Sequence, residues 1–122
     1  MTRNTLDQAH IHPAALAQIE NNHPALVAEV QAAIAANPVV VVGMGLNPFP
    51  AKARKMLEAH GTPYTYLSYG NYFSQWRPRL ALKLWSGWST FPMIFVNGTL
   101  IGGASELQQL IASGELQRLL AV

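Results

Sequence analysis

Asn47-Pro48-Phe49-Pro50 is the stretch whose residue types and spacing most invite a chemical reading. Asparagine followed by proline has the pattern of a helix N-cap and a first helical residue. Asn47 can therefore cap or hydrogen-bond, but a carboxamide has no ionisable nucleophile and cannot start covalent catalysis. The 122 residues include no cysteine, which removes disulfides, thiolate metal sites, cysteine nucleophiles and dithiol redox chemistry. His10, His12 and His23 are the remaining metal-ligand types in a cluster. A His-x-His pair with no third ligand nearby is a weak metal signal, so these read as N-terminal turn residues, with no metal site and no catalytic residue expected.

Charge narrows the partner classes. The net charge is +2. Residues 52–83 hold Lys52, Arg54, Lys55, Arg77, Arg79 and Lys83 against Glu58 alone, while residues 1–37 and 84–122 are slightly acidic. The middle block reads as a solvated basic face; a small acid, a phosphate or an acidic partner is the alternative. It lacks the dense stripe or motif of a nucleic-acid binder. Half of the residues are apolar and 11% are charged, enough for a packed core. The longest apolar run, Val39 to Val42 with a weak extension to Leu46, is far too short to span a bilayer. The polar first twelve residues lack the apolar stretch of a secretory signal, so a cytoplasmic protein away from membranes is expected.

The elements that must position Asn47 follow from pattern. His12-Pro13 and His23-Pro24 open helices over 13–21 and 24–36, the second with Leu26, Val27, Val30 and Ile34 on one side. Val39 to Val42 is a strand buried on both faces. A loop leads to Asn47, and a helix runs from there to about His60, stopped by Gly61. Residues 64–69 form a second strand, with Tyr64, Tyr66 and Ser68 on one face and Leu67 and Tyr69 on the other. Pro78 predicts a turn over 72–77 and a helix over 78–85. Met93 to Val96, the Asn97-Gly98 turn and Thr99 to Ile101 make a hairpin. Helices over 105–112, capped by Ser105, and 115–120 end the chain. Tyr72, Phe73 and Trp76 are candidates for an exposed contact patch. The order β-α-β-α-β-β-α from residue 38 gives an α/β fold with a four-stranded mixed sheet flanked by helices. Residues 1–37 form an N-terminal helical extension and 38–122 the main domain.

Three stretches of the main domain resemble glutaredoxins, a branch of the thioredoxin-like fold. Trp85-Ser86-Gly87-Trp88-Ser89-Thr90-Phe91-Pro92 is similar to the W-P-T-F-P segment of monothiol glutaredoxins. Phe95 to Gly103 is similar to the family's F-x-x-G-x-x-I-G-G hairpin, and Ser113-Gly114-Glu115-Leu116 to a common ending. The family carries Cys-Pro-Tyr/Phe-Cys or Cys-Gly-Phe-Ser after the first strand; here Asn47 to Pro50 keeps the central Pro-Phe and loses both thiols. The family's lysine three residues before the first cysteine is Met44.

The resemblance implies a glutathione groove made of Asn47, Pro48, Phe49, Arg79, Phe91, Pro92, Gly103, Ala104 and Ser105. Phe91 offers its backbone to the cysteinyl part, Pro92 is the cis-proline, and Gly103 to Ser105 hold the γ-glutamyl carboxylate at a helix start. Arg79 reads as surface charge, with the glycine carboxylate as its alternative role; Trp88 is expected to pack beneath the Pro92 loop. Thiol–disulfide exchange through Asn47 is chemically impossible, and carriage of an iron–sulfur cluster lacks its cysteine ligand. The expected function is a redox-inactive module binding glutathione, a peptide or a protein, with no required cofactor. One alternative is transferase-type chemistry with the thiol of bound glutathione as nucleophile. Another is a structural or regulatory subunit, with a homodimer through the N-terminal helices as one form of it.

Overall fold

The computed structural model describes residues 5–20, 23–70 and 74–121. Its centre is β1 (Val39–Gly43), every residue of which is buried. Four consecutive valines without solvent exposure require cover on both sides of the strand. β2 (Thr65–Ser68) pairs with β1 in parallel, and β3 (Met93–Val96) and β4 (Thr99–Gly102) extend the sheet antiparallel on the other side, in the order β2-β1-β3-β4. The expected four-stranded mixed sheet is therefore present.

The two faces carry separate helical layers. On one, α2 (Pro24–Ala36) and α4 (Trp76–Ser86) pack so that Val30 and Leu82 meet Val40, Val42, Met93 and Phe95. On the other, α3 (Pro48–His60), α5 (Ala104–Ala112) and α6 (Glu115–Leu120) bring Ala53, Leu57, Leu107 and Leu116 against Val39, Val41 and Ile94. Each large aliphatic chain buried this way contributes about 1.5–3 kcal/mol. Along β2 the expected alternation holds: Leu67 and Tyr69 join the first layer, Tyr64 and Tyr66 the second. α1 (Pro13–Glu20) precedes α2 and begins after His12, whose Nδ1 accepts from the Ala14 N–H at 3.1 Å.

Several local expectations change. α4 begins at Trp76 rather than Pro78. Pro78 thus falls in the first helical turn, where its missing N–H leaves no intrahelical bond broken. Of the proposed aromatic patch Trp76 is exposed, and Tyr72 and Phe73 lie outside the described residues. The helix expected to be capped by Ser105 starts one residue earlier, at Ala104, with Gly103 as N-cap. Arg79 is not surface charge: it is 6% exposed, and its Nη1 donates to the carbonyls of Tyr69 and Ser74. Nor is the basic block one face. Lys52, Arg54 and Lys55 ride on α3, and Arg77, Arg79 and Lys83 on α4, on opposite sides of the sheet.

α2 is tied to the sheet by a polar contact as well as by packing. The Tyr69 hydroxyl donates to Glu29 Oε1 at 2.9 Å. Burial first, and this bond second, push the phenol well above its ordinary value of 10.0. The folded chain holds that proton more tightly than the unfolded chain. The contribution is complete below the ordinary tyrosine value and is lost as pH rises past it. Tyr69→Phe is expected to lower stability by about 1 kcal/mol at neutral pH. It should also lessen the alkaline loss. Denaturant unfolding across a pH series reads both; unchanged stability at neutral pH would show that the bond does not hold α2 in place.

Candidate functional site

The ends of three strands converge at one edge of the sheet. The pairing of Val42 with Met93 sets the loop after β1 beside the residues that precede β3. The register shift between Ile94 and Phe95 sets Gly102 opposite Ile94, so the chain leaves β4 next to the same place. Loop 44–47, the Phe91–Pro92 turn and the start of α5 are therefore neighbours by strand register, although their sequence separations are large.

Asn47 links two of them. Its Oδ1 accepts from the Phe49 N–H at 3.0 Å, the N-cap bond expected of it, and its Nδ2 donates to the Phe91 carbonyl at 3.4 Å. The Phe91–Pro92 peptide bond is cis, as the resemblance implies. Pro48 is the first residue of α3, Phe49 is exposed at the cavity mouth, and Pro50 is fully buried. The buried position of Pro50 depends on Gly43, which the sequence reading did not single out. A Cβ on Gly43 would lie 2.8 Å from Pro50 Cβ, so only glycine lets the first turn of α3 press onto the end of β1. Met44, at the family's lysine position, is buried in the core and brings no charge to the edge.

A cavity of about 210 Å³ lies beside this junction, lined by Phe49, Trp88, Thr90, Phe91, Pro92, Gly103, Ala104, Ser105 and Glu106. It gathers six of the nine expected site residues: Phe49, Phe91, Pro92, Gly103, Ala104 and Ser105. Asn47 adjoins it through Phe91, whereas Pro48 and Arg79 are not in its wall. Lys83 stands at its border, with Nζ 5.7 Å from the centre of the Phe91 ring.

Glu106 is the residue that sequence reasoning missed. Its Oε1 accepts the Gly103 N–H at 2.8 Å, folding back over the first turn of α5. Glycine at 102 makes room for that carboxylate arm: it has φ +114, and a Cβ there would lie 2.7 Å from Glu106 Cγ. The Gly103-Ala104-Ser105-Glu106 sequence carried the signal, because a Glu three residues beyond a cap is the mark of this arrangement; the serine drew the cap two residues too far along. The Gly103 N–H is consequently taken. The N–H groups of Ala104 and Ser105, in the first turn, have no intrahelical acceptor and remain as donors at the cavity wall.

Trp88 packs against the core as expected, and its Nε1 is buried with no hydrogen-bond partner. That atom would lie 3.8 Å from a Cβ built on Gly103, which places it at the α5 side of the cavity. The site thus offers amide and indole donors beside the Thr90 and Ser105 hydroxyls, and no thiol. Among the described residues no group of three or more histidine, aspartate or glutamate side chains could hold a metal ion. A larger cavity of about 870 Å³ lies between α2, α4 and the β3–β4 hairpin, but no titratable side chain lines it, and it does not adjoin Asn47. The small cavity, where the polar donors converge, is the better candidate.

Comparison with known proteins agrees with this geometry. The glutaredoxin family profile matches residues 47–101, starting at Asn47. A glutaredoxin-like protein of Dictyostelium discoideum is 44% identical over 98 residues, covering 80% of each chain. A wheat glutaredoxin structure superposes with TM-score 0.69 at 28% identity, covering 80% of this chain and 92% of that one. A buckwheat glutaredoxin in complex with glutathione superposes with TM-score 0.70 at 21% identity, over 86% of this chain and 92% of the other. Those matched shares exceed what residues 38–122 alone could supply, so the likeness reaches back into the N-terminal helices. With the thioredoxin-like sheet, the cis Phe91–Pro92 turn and this degree of identity, the chain belongs to the glutaredoxin family, and it does so without a cysteine.

Proposed function

We propose that the cavity between the Phe91–Pro92 turn and the start of α5 binds one end of glutathione, or of a peptide or protein carrying the same groups. We also propose that the chain performs no thiol–disulfide exchange with a side chain of its own. The observation that carries the reading is the donor set: a buried Trp88 Nε1 without a partner, and the first-turn amides of Ala104 and Ser105 beside it. A buried donor left unpaired costs about 1–3 kcal/mol, and a carboxylate in the cavity would relieve it. The helix start supplies partial positive charge for the same group. At about 210 Å³ the cavity suits a carboxylate end rather than a whole tripeptide, and the rest of the ligand would lie along Phe91 toward Asn47. A solved glutaredoxin of the same fold holds glutathione, which supports the choice of ligand.

A catalytic reading in which Asn47 polarises the thiol of bound glutathione has less support. Both ends of its carboxamide already serve the cap and the Phe91 carbonyl.

Titration of reduced glutathione into isotope-labelled protein tests the ligand. Shifts are expected at Phe91, Ala104, Ser105 and the Trp88 indole, at millimolar ligand. Their absence there would sink the glutathione reading. A second experiment tests whether the scaffold still positions a reactive group. Asn47→Cys puts a thiol at the N-terminus of α3, where the helix favours the thiolate. With oxidised glutathione, that thiolate attacks one sulfur, the old disulfide breaks, one glutathione leaves as thiolate, and a mixed disulfide remains on the protein. Mass spectrometry should show this adduct in the variant and none in the parent chain. An unreactive, folded variant would mean that the site no longer presents position 47 to a ligand.

A further inference from the structure

The outward side of α4 carries an arrangement that neither the cavity nor the core uses. Trp76, Leu80 and Leu84 recur every fourth residue and are 57%, 42% and 57% exposed. At about 3.6 residues per turn they form one ridge along the solvent side, while Ala81 and Leu82 face the core. Arg77 falls on one border of that ridge and Lys83 on the other; Arg77 also lies over the Trp76 ring, 5.2 Å from its centre. The helix sequence holds no acidic residue, so nothing on α4 answers these two cations. Three exposed large apolar chains in a row on an eleven-residue helix differ from the scattered exposed apolar residues of an ordinary surface.

We propose that this face is a docking surface for a helix of a partner protein, one whose own apolar stripe is bordered by Asp or Glu side chains. A ridge of residues spaced by four packs into the matching groove of a second helix. The flanking cations then choose partners by charge, as border residues do between paired helices. The same rule argues against a second copy of this chain on this face: two α4 helices side by side would bring Arg77 and Lys83 against their own kind with no acid between them. Trp76 and Arg77 are the residue types that most often anchor such contacts. Trp76, Arg77, Leu80 and Leu84 do not line the small cavity and only Lys83 adjoins it, so variants at 76 and 77 test the proposal apart from the glutathione reading.

The test uses the full chain, isotope-labelled, and a synthetic helical peptide with leucine at every fourth position and glutamate along both borders. The same peptide with lysine in place of glutamate is the charge control, and vesicles containing phosphatidylglycerol are the lipid control. Shifts confined to residues 76–84 are expected with the acidic peptide alone. Trp76→Ala and Arg77→Glu should each weaken that binding about tenfold or more, and added salt should weaken it further. Arg77→Glu should leave the amide spectrum outside residues 76–84 as it is in the parent chain, which confirms that the variant is folded. Equal binding of the acidic and lysine peptides, absence of binding, or shifts elsewhere in the chain would overturn the proposal. Binding to the vesicles through the same residues, without binding to the acidic peptide, would overturn it in favour of a lipid surface.

Discussion

The burial of β1 on both faces is the constraint on which the rest of the structure depends. Val39 and Val41 need one layer, Val40 and Val42 another, and a chain of this size can supply both only by wrapping helices to either side. α2 then becomes part of the fold, because without Val30 and its neighbours one face of β1 would lie open. The same strand fixes the site. Its parallel partner and its antiparallel partner leave no freedom in register: a shift by one residue would turn every valine to the opposite layer. Once Val42 is opposite Met93, the α3 cap and the Phe91–Pro92 turn must be neighbours.

The sequence was most legible where one local interaction decides the outcome. A run of β-branched residues makes a buried strand, Asn97-Gly98 makes a tight turn, and Asn47-Pro48 starts a helix; all three stand in the structure. It was least legible where a residue's state is set by a contact made across a loop. No residue pattern marks Arg79 as buried, since its partners, the carbonyls of Tyr69 and Ser74, reach it only once the chain has passed from the end of β2 into α4. Gly43 is needed because of Pro50, a contact across the loop between β1 and α3. The Ser105 cap failed for a subtler reason. The cap lies at Gly103, whose N–H the Glu106 carboxylate accepts, so the glutamate and not the serine marks the helix start. Pro78 misled by its type: proline breaks a helix only beyond the first turn, and the sequence did not show where that turn began.

The candidate site was legible through resemblance more than through composition. Six of its residues meet at one cavity, yet no periodicity or spacing in the chain would have put Phe49 beside Gly103. The resemblance did not anticipate the state of the donors. Of three amides expected to receive a carboxylate, that of Gly103 is already closed by Glu106. The unpartnered indole of Trp88 enters instead, supplied by a residue assigned to packing.

The two helix starts at this edge have consequently become unequal. Both α3 and α5 turn the positive end of a helix to the same small region. At α3 the chain satisfies its own demand: Asn47 Oδ1 receives the Phe49 amide, Pro48 has no N–H to offer, and Nδ2 ties the cap to Phe91. A cysteine there would leave a polarisable, reactive atom facing the groove; the carboxamide leaves a closed hydrogen-bonded joint. At α5 the balance is opposite, because Ala104 and Ser105 keep open amides and Trp88 adds another donor. The open donors of the site therefore lie at α5, held in place by a structural contact at α3.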